Sequence, residues 1–133
     1  MSGCPNGCGQ HHVSAIGFQG SVRKVADGAV PQYFVLVGGG LGPEGARFGR
    51  LAAKVPARRV PAALERLVAL YQAERREGED AAAFFARVEP ARARAAIGEL
   101  AELAPGEVSA QDAVDLGEAV VFRSETGEGE CAA

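Results

Sequence analysis

Two of the chain's three cysteines and both of its histidines fall within one glycine-rich stretch, SGCPNGCGQHH at positions 2–12. Thiolates and imidazoles are the ligands of soft and borderline metals, so this stretch is where chemistry is expected. Cys4 and Cys8 stand four positions apart across Pro5, Asn6 and Gly7. Pro5 presets φ and Gly7 lets backbone pack closely, so two thiolates in one tight turn can face a single iron or iron–sulfur centre. The turn's amides can then hydrogen-bond to inorganic sulfur, which tunes potential. The same spacing also suits two unligated thiols acting as small apolar side chains. Two cysteines do not complete a cluster that takes four, and Cys131, in a Glu/Gly tail, is a poor third.

His11 and His12 are adjacent, so in a strand they point to opposite faces and do not share a metal easily. A zinc site of Cys4, Cys8 and one histidine lacks a fourth ligand, and its spacing is not that of common zinc motifs. A second motif, Gly40-x-Gly42-x-x-Gly45, formally satisfies the dinucleotide fingerprint, with Glu65 twenty residues on. That reading is rejected. The elements before it look like an antiparallel hairpin rather than a βαβ unit, and Pro56 and Pro61 interrupt what would be the crossover helix. A looser role remains for these glycines, since backbone without side chains can approach a bulky or anionic cofactor closely.

The elements that must position these residues follow from periodicity. HVSAIGFQGSVRKV and VPQYFVLV flank Asp27-Gly28 and read as a β-hairpin, with Pro31 near a strand start and YFVLV covered on both faces. Glu44 to Val55 is expected as a short helix bearing Phe48, Leu51 and Ala52. A longer helix opens at Pro61, carries Leu64, Leu67, Val68 and Tyr71, and stops at Gly78. Asp80 can cap a helix with Phe84, Phe85 and Val88, and Pro90 can open another with Ile97, Leu100 and Leu103. Ser109 and Asp112 form a possible capping box, and EAVVFR at 118–123 reads as a late strand. The class is α+β: antiparallel strands, then several helices, then one strand. One domain is expected over 1–124, with an acidic tail at 125–133.

Composition bounds the rest. A chain of 133 residues can bury a core without disulfide or metal staples, and no apolar run is long enough to span a bilayer. With no secretory leader pattern, the expected compartment is the cytoplasm, where thiols stay reduced and serve as metal or redox ligands. The net charge of −3 conceals an asymmetry. Residues 20–60 carry seven Lys/Arg against two acids, and residues 99–133 carry nine acids against Arg123 alone. The basic stretch suits an anionic ligand or a solvated face, and the acidic end mostly provides solubility. Nucleic acid and membrane are not indicated as partners.

Taken together, GCPNGCGQHHVSAIGFQGSVRKV and YFVLVGGGLGPEGARFGRLAAKVPARRVPAALERLVALYQAERREGE resemble the C-terminal part of the sirohaem and [4Fe–4S] nitrite/sulfite reductase family. The matching features run in order over roughly residues 2–88. They are a C-x3-C pair enclosing Asn, an I-G-F-x-G strand, a V-G-G-G strand end and an amphipathic helix ending near E-R-R-E-G-E. The resemblance implies that Cys4 and Cys8 ligate the cluster and that the Cys8 sulfur also bridges to the sirohaem iron. It implies that Asn6, Gly9 and Gln10 lie beside the macrocycle, and that Gly39 and Gly40, within the Gly38–Gly42 loop, line the same cavity. The carboxylates of sirohaem would give the basic stretch its anionic partner.

The family's first cysteine pair and its substrate-gripping Arg and Lys residues belong upstream and have no counterpart here. The implied role is therefore half of a cofactor site, with no catalytic residue of its own, in a six-electron reduction of nitrite to ammonia or sulfite to sulfide. The chain is expected to be inactive alone. Its partners would be the remaining reductase half, in the same or a separate chain, and a ferredoxin-like electron donor. Cys-Pro-Asn followed by Gly-Gln leans towards nitrite, by resemblance only. The alternatives are a small non-enzymatic metal or Fe–S module that dimerises through Cys4 and Cys8, and a gene remnant without function.

Overall fold

A computed structural model describes residues 1–25, 28–103 and 108–123. Ten-residue strands β1 (Ile16–Val25) and β2 (Gly28–Val37) pair antiparallel from Ile16↔Val37 to Val25↔Gly28. This is the expected hairpin, but Gly28, read as a turn residue, already stands in β2 opposite Val25, and Asp27 lies outside the described residues. Beyond β2 the chain forms a small antiparallel ribbon, β3 (Gly40–Gly42) with β4 (Gly45–Arg47). It then returns as β5 (Arg50–Pro56) along the other edge of β2, giving a sheet of order β1-β2-β5. Pro31 pairs with Val22 just before β2 gains its second neighbour at Gln32↔Pro56, so the donor it lacks is not needed by a two-sided ladder.

The helix expected over 44–55 does not form. Pro43, Gly45 and Gly49 break helical propagation there, and Gly45 takes φ +106°. The open edge of β2 meanwhile offers six residues of ladder, so Ala and Lys with good helix propensity become strand because their partner already exists. The late strand expected over 118–123 shrinks to one bridge, Val114↔Val121. Val120 and Val121 remain largely exposed, so no apolar face is buried that would hold a longer ladder. The tail at 125–133, Cys131 included, lies outside the described residues.

Three helices cover one face of the sheet: α1 (Val60–Glu74), α2 (Ala81–Arg87) and α3 (Pro90–Ala101). Proline opens α1 and α3, and the Asp80 carboxylate caps α2 by accepting from Ala83 N at 2.8 Å. Phe18, Val35, Val37, Ala53 and Val55 of the sheet pack on Ala63, Leu67, Leu70, Phe84, Phe85, Ala93 and Ile97. The buried stripe of α1 is Val60, Ala63, Leu67 and Leu70, one position round from the predicted one, so Leu64 and Val68 face solvent. Small Ala63 lets the helix approach the sheet where Leu64 would hold it off. Phe84 stacks edge-on between Tyr71 and Phe85, with ring centroids 5.5 and 5.0 Å away.

Residues 108–123 are tied to this unit by a bidentate pair, Arg59 Nε to Asp112 Oδ1 at 2.9 Å and Arg59 Nη2 to Asp112 Oδ2 at 2.8 Å. Ser109 and Asp112 exchange the reciprocal bonds of the expected capping box. Burial pushes the Asp112 carboxyl up, but the Arg59 and Ser109 bonds outweigh it and hold it below the usual range. Among the described residues no helix is long and apolar enough to cross a membrane.

Candidate functional site

The cysteine turn is stitched to the outer edge of the sheet. Ser2 makes a parallel bridge beside β1, donating its N–H to Phe18 O at 2.9 Å and accepting from Gly20 N at 2.7 Å. Ser2 Oγ then accepts from Gly9 N at 2.8 Å, closing a loop that contains both Cys4 and Cys8. Inside it Gly7 takes φ +76°, and Gln10 N donates to Gly7 O at 2.7 Å. Gln10 itself adopts φ 52°, ψ 30°, the left-handed region, and launches a single 3₁₀ turn over His11–Val13. Two helix-like bonds fix that conformation, from Val13 N and from Ser14 Oγ to Gln10 O. Cys4 is partly buried, Cys8 is exposed, and both are free thiols. Asn6, Gly9 and Gln10 are exposed on the same loop.

The histidines are not in a strand, and their side chains do not diverge. In the 3₁₀ turn their rings stack at 3.9 Å, tilted by 41°. His11 is fully buried, with Nε2 3.1 Å from Gln19 Oε1 on β1 and, among the described residues, no partner for Nδ1. Burial, then its neighbour His12, lower the His11 pKa, with the Gln19 bond opposing. Among the described residues, no three His, Cys, Asp or Glu side chains are gathered into a metal-binding group. Two soft donors at one turn fit two corners of an iron–sulfur cluster and leave the other corners to be filled from elsewhere.

The glycines after β2 are placed differently from one another. A Cβ on Gly39 would come 2.6 Å from Ser14 O and 2.7 Å from His12 O, so backbone of the histidine turn fills that space. Gly38 donates to Ala15 O at 2.9 Å and accepts from Arg47 Nε at 2.8 Å. Gly40 is more open and, among the described residues, faces only the tip of Arg47. The strand end therefore clamps residues 12–15 and, through them, the cysteine turn.

Much of the basic stretch is also structural. Arg50 donates to Val88 O, Arg59 pairs with Asp112, Arg58 donates to Glu118 O and Arg23 to Gln32. Lys54 lies 4.8 Å over the Phe34 ring. The roles of Ser2 and of the His11–His12 stack were not legible in the sequence, because both depend on contacts with β1 and with the chain beyond β2.

Two free thiols thus sit on one loop at the edge of a small antiparallel sheet backed by helices. The chain belongs to the nitrite and sulphite reductase 4Fe-4S domain family, whose model matches residues 1–103, past Val88 where the motif-level likeness ends. Among solved structures it is similar to the Mycobacterium tuberculosis NirA protein, at 33% identity and a TM-score of 0.59. That likeness covers 69% of this chain and 17% of the NirA chain. No curated protein matches the chain.

Proposed function

We propose that this chain supplies half of the sirohaem and [4Fe–4S] site of an assimilatory nitrite or sulfite reductase. The supporting observation is the pair of free thiols held on one short loop, which the chain's own backbone ties to the sheet edge. When bound, sirohaem and cluster supply the six-electron reduction of nitrite to ammonia or of sulfite to sulfide. The residues of this chain position those groups. Cys4 and Cys8 would hold the cluster, and Cys8, the more exposed of the two, would also serve the sirohaem. Asn6, Gly9 and Gln10 would lie against the macrocycle, and the more open Gly40–Gly42 end of the glycine run would line the cavity beside it.

The other two cluster cysteines and the substrate-binding cations would come from another reductase segment, in the same or a separate polypeptide. Electrons would arrive from a ferredoxin-type donor in the cytoplasm. On this reading the 133-residue chain alone does not turn over nitrite or sulfite.

The test is anaerobic isolation of the reductase assembly containing this chain, wild type and with Cys8→Ser, followed by iron and sulfide analysis and electron paramagnetic resonance. Loss of the coupled haem–cluster signal in Cys8→Ser is expected. An unchanged signal and iron content would overturn the assignment. Weakened self-association of the isolated chain in the same variant would favour a dimeric metal module instead.

A further inference from the structure

We propose that His12 is a positioning residue for the Cys4–Cys8 turn: its imidazole is a wedge that fixes how the two thiols are presented and thereby sets the potential of the centre they hold. The part concerning potential rests on the cluster reading above. The part concerning the wedge does not.

The His12 ring has three walls. The His11 ring lies 3.9 Å behind it, the Phe48 ring meets it edge-on at 5.9 Å, and Gly7 lies against its polar edge. A Cβ on Gly7 would come 3.3 Å from His12 Nδ1 and 3.6 Å from Cε1. Glycine at position 7 thus serves twice, for its positive φ and for the space the imidazole occupies. The His12 backbone is equally fixed, since its carbonyl accepts from Gly49 N at 2.7 Å and packs on Gly39. One residue therefore links the cysteine turn, the end of β2 and the segment before β5.

Two otherwise unexplained features fall into place around this wedge. Phe48 is a large aromatic left 69% exposed, so core burial does not account for it. It is the outer wall of the His12 ring. His11 is buried, and among the described residues its Nδ1 has no partner, an arrangement that stable interiors avoid unless something else is gained. Its ring gives His12 a rigid back wall, and its Nε2 ties that wall to Gln19 on β1 beside the Ser2 bridge. Polar edges and water exclusion beside thiolate ligands tune the potentials of iron–sulfur centres, and His12 Nδ1 meets the turn at Gly7, between the two ligand positions.

Amide hydrogen exchange on the 133-residue chain tests the wedge. In His12→Ala the Gly9 and Gln10 amides should exchange at least tenfold faster, while the β1–β2 amides keep their protection. Phe48→Ala removes one wall from outside the turn and should give a smaller acceleration at the same two amides, which keeps the test open if His12→Ala does not fold. Unchanged exchange at Gly9 and Gln10 in both variants would overturn the wedge.

Potentiometry on the cluster-loaded assembly tests the tuning. His12→Phe keeps a ring but loses the polar edge. It should retain iron yet shift the midpoint potential by an amount equivalent to about a tenfold change in the reduced-to-oxidised ratio, about 59 mV for one electron. His12→Gln should recover part of that shift. An unchanged potential in His12→Phe with iron retained would overturn the tuning role. Absence of iron from the wild-type assembly would overturn the cluster reading and the tuning with it, leaving the exchange result to decide the wedge.

Discussion

Replacing Gly39 by alanine separates the architecture of the site from its chemistry. The added methyl would meet Ser14 O at 2.6 Å, His12 O at 2.7 Å and Ser14 N at 2.9 Å. All three are backbone atoms, so no rotamer change relieves the clash and the whole 12–14 segment must lift from the strand end. Overpacking of this kind costs about 1–3 kcal/mol. Lifting His12 also stretches the Gly49 N to His12 O bond, now 2.7 Å, which adds about 1 kcal/mol. The sum is about 2–4 kcal/mol, and at about 4 °C per kcal/mol for a domain of this size the melting temperature should fall by about 8–16 °C. Gly98→Ala is the matched control. It lies in α3 with nothing within 4 Å of the new Cβ, so alanine there should stabilise by about 0.5–1 kcal/mol. Calorimetry of the two variants decides the matter. A Gly39→Ala protein as stable as wild type would refute the claim that the strand end clamps the cysteine-bearing segment.

Other perturbations reach other parts of the molecule. Asp112→Asn removes the charge from the pair with Arg59, whose side chain is 26% exposed, so the loss is discounted to about 2–3 kcal/mol; limited proteolysis should find residues 108–123 newly cleavable. Because the Asp112 carboxyl is held below its usual range, its contribution is complete above pH 3.8 and is lost as pH falls through the lower native value; melting curves from pH 6 to 2 should fall less in Asp112→Asn than in wild type, the remaining loss including Glu79, which Arg87 holds at about 2. His11 works in a separate window. Its native pKa lies below 6.5, so the unfolded chain binds the proton first, stability should decline as pH falls from about 7 through 6.5, and His11→Phe should flatten that decline in thermal scans. Phe84→Ala, at a side chain with no exposure, should cost about 3–5 kcal/mol in denaturant titration.

What the sequence disclosed was local. The pairing of β1 with β2, the prolines that open α1 and α3, the Asp80 cap and the Ser109–Asp112 box each depend on residues a few positions apart and appear as read, although Gly28 stands in β2 opposite Val25 rather than in the turn. The strand over 50–56 was misread because its conformation is decided by the free edge of β2, a partner at longer range. The rotation of the α1 stripe has the same origin, since Leu64 and Leu70 are equally apolar and only the closeness allowed by Ala63 selects between them. In the site, the spacing of Cys4 and Cys8 was enough to single out the loop that carries both thiols. Nothing in that spacing announced Ser2, which joins the loop only because β1 presents an edge beside it.

That difference bears on how the proposed half-site would become useful. Two thiols on a floppy terminus would lose the entropy of ordering the intervening backbone each time they bound, about 1–2 kcal/mol per residue fixed. Here the loop is already closed by the Ser2 Oγ to Gly9 N bond, turned by Gly7 and Gln10, and backed by Gly39 and the stacked histidines. Its ordering cost falls within the folding of this chain, so on the proposed cluster reading a segment bringing the remaining ligands would meet a preset pair and have only its own side to order. Removing Ser2 Oγ should therefore weaken iron retention without touching a ligand. Ser2→Ala opens the loop at its neck, and iron release to a chelator from the loaded assembly should accelerate severalfold. An unchanged release rate would mean that the order of the loop is imposed by the bound centre rather than by this chain.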